Sequence, residues 1–222
     1  MWGENQGERF EDERQRMVEE QLRRRGIRDE RVLAAMGTVP RHEFIDQRNW
    51  NEAYADHPVP IGAGQTISQP YIVAAMVEAL HVTSGQNVLE VGTGTGYEAA
   101  VLAQIADYVH TIERYSALAQ QARRIYDRIG YRNINVAIGD GSEGLAEHAP
   151  YDRIIVAAAA PNVPAPLFEQ LAEGGRLIVP VGDFETQVLQ LIRKVNGLPI
   201  TSTLDACRFV PLVGSSGFTD AA

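Results

Sequence analysis

Only one cysteine, Cys207, occurs in the 222 residues. That excludes an internal disulfide and a thiolate metal cluster. The five histidines, at 42, 57, 81, 110 and 148, never stand three or four residues apart, so no metal site is expected from them. No apolar run approaches the ~18 residues that suggest a membrane span. The opening stretch MWGENQGERFEDERQR is polar and acidic, without the basic-then-apolar order of a secretory leader. Cations are in the minority: 20 Lys and Arg face 29 Asp and Glu, a formal charge of −9. A broad grip on a nucleic-acid backbone needs clustered Lys and Arg, and this balance argues against one. Internal repeats and Ser/Pro/Gly linkers are missing as well. These absences predict a soluble, cytoplasmic protein with no nucleic-acid and no membrane partner.

What is present is ordinary for a globular chain, 45% hydrophobic and 22% charged, and long enough to bury a sizeable core. The expectation is a single domain over residues 1–222. Within it, residues 1–14 form a flexible extension, 15–80 a helical segment and 81–214 an α/β core. Met17, Val18 and Leu22 share one side of a charged stretch over 11–25, and Gly26 stands where a helix C-cap glycine belongs. Asp29 reads as the N-cap of a second helix reaching Met36, and a third is expected after Pro40.

From residue 87 the rhythm changes. Apolar, strand-like runs at 87–91, 108–113, 134–138, 153–157 and 176–181 alternate with helix-like segments at 98–106, 117–129 and 167–172. Such alternation predicts a mostly parallel sheet covered on both faces. Two last runs, 187–194 and 204–210, flank the turn signal Asn196-Gly197, so the sheet should end in an antiparallel strand pair.

Leu89-Glu90-Val91-Gly92-Thr93-Gly94-Thr95-Gly96 follows the first strand and precedes a helix. Glycines there let the backbone turn tightly and approach a ligand at the carboxyl edge of the sheet. The dinucleotide fingerprint fails at Tyr97, and no Gly-Lys-Ser/Thr follows to make a phosphate loop. A cofactor without a pyrophosphate is indicated. Glu113 ends the next strand, where a carboxylate can accept both ribose hydroxyls of an adenosine. Asp140 ends the third and could meet the adenine amino group.

Together with IGAGQTISQP (61–70), VLEVGTGTGYEAAVLA (88–103), IER (112–114), GDG (139–141), YDRIIVAAAAP (151–161), GGRLIVPVG (174–182) and RFVPL (208–212), this turn resembles the protein-L-isoaspartate O-methyltransferases. The resemblance runs from about residue 15 to 214. VLEVGTGTG is shared by many methyltransferases; GQTISQP and FVPL are the specific parts. It implies a Rossmann-like, S-adenosylmethionine-dependent enzyme that methylates the free carboxylate of isoaspartyl residues in damaged proteins and peptides. Its implied cofactor residues are Thr66, Ile67 and Gln69 in the first motif, and Glu90, Gly92, Thr93, Gly94 and Gly96 in the turn. Glu113 and Arg114, then Asp140 and Gly141, complete them. Ser68 is implied as catalytic and, with Val210, as facing the substrate. At Ala157 the chain departs from the family's frequent threonine.

An isoaspartyl carboxylate, with a pKa near ~4, is ionised at neutral pH and needs no general base. A sequence without a Ser-His-Asp or paired-carboxylate nucleophile constellation fits that chemistry. By pattern alone Ser68, two residues before Pro70 and an apolar run, reads as a helix N-cap; the resemblance implies a role at the reacting carboxylate. Two alternatives stay open: a methyltransferase of a small-molecule acceptor, or a non-catalytic nucleoside-binding module.

Overall fold

The computed structural model describes residues 3–219. Helix α1 (Gly3–Arg16) continues into a π-helical turn over Met17–Leu22 and a 3-10 turn over Arg23–Arg25. Gly26, at φ +106°, stops the run at the expected glycine. The start differs from expectation, because the stretch assigned to a flexible extension is helical from Gly3 onward. Phe10 is buried, its ring stacked on His42 at 4.1 Å and meeting Trp50 edge-on at 5.4 Å. One aromatic among charged residues gives no periodic pattern, so its anchoring role was not visible in the sequence.

Helix α2 (Glu30–Thr38) begins at Asp29, whose side chain accepts the Arg31 amide at 2.9 Å. The helix expected after Pro40 is two 3-10 turns instead, Arg41–Phe44 and Gln47–Glu52. A small antiparallel hairpin follows, β1 (Val59–Gly62) and β2 (Gln65–Ile67). Helix α3 (Pro70–Leu80) has proline at its first position and buries Val73, Met76, Val77 and Leu80.

The large sheet is built from β3 (Asn87–Val91), β4 (Tyr108–Glu113), β5 (Ile134–Ile138), β6 (Tyr151–Val156), β7 (Leu171–Gly182), β8 (Gln187–Val195) and β9 (Leu198–Cys207). Helices α4 (Tyr97–Leu102), α5 (Ser116–Ile129) and α6 (Ala165–Glu169) lie between strands β3 and β4, β4 and β5, and β6 and β7. The spatial order is β5-β4-β3-β6-β7-β8-β9. Pairs from β5 through β7 are parallel, and β8 and β9 add antiparallel. This is the predicted Rossmann-like architecture with an antiparallel C-terminal pair. The chain builds outward from β3 to β5 and then returns to place β6 on the other side of β3. That reversal opens a crevice at the carboxyl ends of β3, β4 and β6.

Successive residues of the strands feed two cores, one on each face of the sheet. Val88, Val109, Ile155 and Ile178 pack with α3, α4, α5 and the N-terminal helices. Leu89, Val91, Ile112, Ile154, Leu177 and Val179 pack with Tyr151 and Leu167. Two boundaries differ from expectation for physical reasons. The helix expected to reach Ala172 ends at Glu169, because Leu171 already pairs with Tyr151. The last strand starts directly after the Asn196-Gly197 turn, at Leu198, and stops at Cys207. Its residues up to Ala206 are exposed, so no buried apolar alternation marked it.

Candidate active site

The crevice deepens into a cavity, partly open to solvent, beneath the glycine turn. Gly94 donates its amide to Glu113 Oε2 at 2.9 Å, and Tyr115 donates its amide to Oε1 at 2.9 Å. The carboxylate that ends β4 thereby fixes the turn that follows β3. Thr93 and Thr111 share a hydroxyl bond of 2.6 Å, and Thr111 bonds Glu90 Oε2. Glu90 is fully buried, and its Oε1 has no partner. Burial, reinforced by neighbouring Glu98, holds the Glu90 carboxyl well above the usual carboxylate range. Burial likewise pushes Glu98 up to about 8.

The wall facing this turn comes from β2 and the segment leading into α3, where Thr66, Ile67 and Ser68 line the cavity. The Ser68 carbonyl is held by Arg41 Nη2 at 2.7 Å. Arg41 is fully buried; its Nε donates to the Ala53 carbonyl at 2.7 Å, and its guanidinium lies over the Tyr97 ring at 4.7 Å. The wall's backbone is thus fixed while the Ser68 hydroxyl makes no hydrogen bond among the described residues. Its expected capping role is absent: Gln69 occupies the N-cap position of α3, with no side-chain cap bond. Proline at the first helical position makes the residue immediately before it the cap, so Ser68 lies one place too early.

Beyond Ser68 a second groove continues, bordered by Arg25, Tyr71, Arg208 and Phe209. Thr66, Ser68, Ala157 and Val210 line both it and the cavity, so these four form the passage between them. The RFVPL segment is pinned to the stretch that follows β6. Ala159 donates to the Val210 carbonyl at 2.8 Å and accepts from the Leu212 amide at 2.7 Å.

The cavity thus brings together Thr66, Ile67, Ser68, Glu90, Gly92, Thr93 and Gly94 with Glu113, Arg114, Gly141 and Val210. Three sequence-predicted residues stay outside its lining. Gln69 turns away and donates to the Asp56 carbonyl at 2.9 Å. Gly96, at φ +92°, sits against Tyr126, whose hydroxyl donates to its carbonyl at 2.8 Å. Asp140 accepts from Ser142 and from the Ser215 amide and hydroxyl at 2.7 and 2.9 Å, anchoring the C-terminal segment. Sequence reasoning missed Glu98, Tyr115 and Leu212, all of which line the cavity. Glu98 had a signal, standing two residues after the last glycine of the turn in the first turn of α4.

A glycine turn at the switch point, a carboxylate closing the next strand and an acidic, partly apolar cavity define a Rossmann-like methyltransferase of the S-adenosylmethionine-dependent class. A sequence model of the family described as protein-L-isoaspartate(D-aspartate) O-methyltransferase matches residues 12–217, and the chain belongs to that family. It is similar to the protein-L-isoaspartate O-methyltransferase of Koribacter versatilis, 57% identical over 209 residues, covering 94% of each chain. With that of Geobacter metallireducens it shares 50% identity, over 94% of this chain and 97% of the relative. A solved protein-L-isoaspartate O-methyltransferase superposes with a TM-score of 0.83 at 30% identity, over 92% of this chain and 67% of that one. A beta-aspartate methyltransferase from Plasmodium falciparum, solved in complex with S-adenosyl-L-homocysteine, superposes with a TM-score of 0.78 at 30% identity. That match covers 90% of this chain and 98% of the other.

Proposed function

We propose that the cavity seats S-adenosylmethionine along the Glu90–Gly94 turn and Glu113, and that Ser68 presents the acceptor carboxylate through the passage beside Val210. The chain is a protein-L-isoaspartate O-methyltransferase, which methylates the free carboxylate of isoaspartyl residues in damaged proteins and so initiates their repair. The observation that carries the residue assignment is the Ser68 hydroxyl, unpartnered where the cavity meets the outer groove.

The residues suit the cofactor. Gly94, without a side chain, leaves its part of the turn open to close approach, the Glu113 carboxylate can accept ribose hydroxyls, and the orphaned Glu90 oxygen calls for a donor. When bound, S-adenosylmethionine supplies an electrophilic methyl group on a sulfonium centre. The acceptor carboxylate is already ionised, so the protein's task is alignment and exclusion of water, worth ~7–11 kcal/mol in favourable cases. Ser68 suits that task because a neutral hydroxyl orients a carboxylate oxygen without adding a like charge. Arg41, gripping the Ser68 carbonyl, keeps this donor in place. Peptide backbone entering along Arg25, Tyr71 and Phe209 would reach Ser68 from the outer groove. The net charge of −9 disfavours a nucleic-acid acceptor, and the same reading has the enzyme acting on cytoplasmic proteins.

The test is incubation with methyl-labelled S-adenosylmethionine and two peptides that differ only in an aspartyl or isoaspartyl linkage. Base-labile label on the isoaspartyl peptide alone is expected. Label on neither peptide, or equally on both, overturns the acceptor assignment.

A further inference from the structure

Arg41 is fully buried, yet among the described residues no carboxylate answers its charge. Its Nε and Nη2 donate to the Ala53 and Ser68 carbonyls, both at 2.7 Å, while Nη1 is buried with no partner. The titratable groups around it are the hydroxyls of Tyr54 and Tyr97, and burial pushes both up, so neither ionises near neutral pH. His42, next along the chain, is lowered by burial and stays neutral there. Glu43, two residues on, is taken by Arg128 at 2.7 Å. A guanidinium keeps its proton even when buried, so one uncompensated positive charge lies behind the Ser68 wall. Such charges are expensive, and buried arginines are ordinarily paired. Gripping two carbonyls needs no charge, since a neutral amide also offers two N–H donors.

We propose that the buried Arg41 charge makes the enzyme select an ionised acceptor and release the neutral methylated product. The inference rests on Ser68 facing the acceptor. Standard bond lengths keep a serine's carbonyl and hydroxyl oxygens within ~4 Å of each other, and Arg41 Nη2 lies 2.7 Å from that carbonyl. A carboxylate bonded to the hydroxyl then sits within ~10 Å of the guanidinium, close enough through protein to raise its affinity about tenfold. The cavity also carries the carboxyls of Glu90, Glu98 and Glu113, whose negative charge opposes an entering anion and is offset from the acceptor side by Arg41. On transfer, a carboxylate oxygen bonds the methyl carbon, and the methyl–sulfur bond breaks with its electron pair left on sulfur. The resulting ester is neutral and gains nothing from the arginine, which favours its departure.

Other cations border the acceptor's route and differ from Arg41 in exposure. Arg25 and Arg208 border the outer groove, and Arg25 is paired with Asp56 at 2.5 Å. Arg114 lines the cavity. All three are exposed. Salt screens exposed charges over a Debye length of ~10 Å at 0.1 M and screens buried ones much less. Salt therefore separates selection by Arg41 from selection by these three.

The test is equilibrium binding of two peptides to the full chain, with S-adenosylhomocysteine present so that no methyl moves. One peptide carries the free isoaspartyl carboxylate, the other a neutral carboxamide in its place. The ratio of their Kd values isolates charge, because a loosened wall weakens both alike. Native protein should bind the carboxylate at least about tenfold tighter, the ratio changing less than about twofold between roughly 0.05 and 0.5 M salt. Arg41→Gln should lower the ratio about tenfold, whereas Arg41→Lys, which also loosens Ser68 but keeps the charge, should hold it within about threefold. An equal ratio in native protein and Arg41→Gln overturns the proposal alone. Should the Arg41 variants fail to fold, Ser68→Ala decides, since it removes the hydroxyl and leaves the arginine. A salt-resistant ratio of about tenfold in Ser68→Ala supports the charge. A ratio near one, or one that collapses at high salt, overturns it. Failure of both peptides to bind native protein overturns the acceptor reading and this proposal together.

Discussion

Tyr126 donates its hydroxyl hydrogen to the Gly96 carbonyl at 2.8 Å, and a Cβ on Gly96 would overlap the same phenol, 2.7 Å from its Cζ. The cofactor turn is therefore seated on helix α5 by a contact that leaves room only for hydrogen at position 96. Tyr126→Phe gives up one hydrogen bond, about 1 kcal/mol, and keeps the packing. Gly96→Ala adds the overlap and an unfavourable φ of +92°. Thermal melts should place Gly96→Ala well below Tyr126→Phe. Equal melting of the two would mean that the hydrogen bond, not the space, seats the turn.

Ser68→Ala should slow methyl transfer to an isoaspartyl peptide about 10- to 100-fold, the loss of ~1.5–3 kcal/mol from one hydrogen bond to a charged group. Because Ser68 caps no helix, its melting temperature should stay within about a degree of native, against the ~1 kcal/mol that a lost cap removes. A variant that keeps full activity removes Ser68 from the mechanism.

Asp140 acts at a distance through the C-terminal segment. Its carboxylate takes both the amide and the hydroxyl of Ser215, and that segment's Leu212 and Val213 help line the cavity. Asp140→Ala should expose the peptide bonds after Leu212 to limited proteolysis and weaken nucleoside binding. Ser215→Ala, which keeps the amide bond, should do so less. Unchanged protease resistance in Asp140→Ala would mean that the Ala159 bonds and the contacts of Ser216 with Ser142 and Glu143 suffice to hold the segment.

His110 sets an acid limb on stability. Burial, with the stacked His148 ring 4.1 Å away, lowers its pKa to about 4. An unfolded histidine takes a proton near ~6.5. Between those values the unfolded chain binds more protons, so stability falls as pH drops from about 6.5 to 4. His110→Phe should flatten the melting temperature across that window and change little above pH 7. Parallel curves for the two proteins would assign the acid limb to other groups.

What could be read from the sequence was what is encoded locally. Short apolar strands, a glycine turn and carboxylates ending β3 and β4 are neighbours along the chain, and the sheet, its switch point and most of the cavity followed from them. What could not be read depends on distant partners. Asp140 could not announce that Ser215, 75 residues away, occupies its oxygens. Phe10 gave no pattern because its partners His42 and Trp50 lie in irregular turns. Ser68 was misread as a cap through a local rule misapplied by one residue, since Pro70 assigns that place to Gln69. Glu98 resembles any polar residue opening a helix until the fold places it in the lining of the same cavity as Glu90.

Arg41 joins four stretches of chain: its own turn, the Ala53 carbonyl, the Ser68 carbonyl and the Tyr97 ring. None of these contacts forms by local coiling, and contacts between distant stretches come late and slowly when a chain folds. The wall that carries Ser68 is consequently complete only when the whole molecule is. During refolding, helical signal should return before methyl transfer does, and a half-assembled chain should be inactive rather than poorly selective. An enzyme that mends ageing proteins thus has its own integrity written into its turnover.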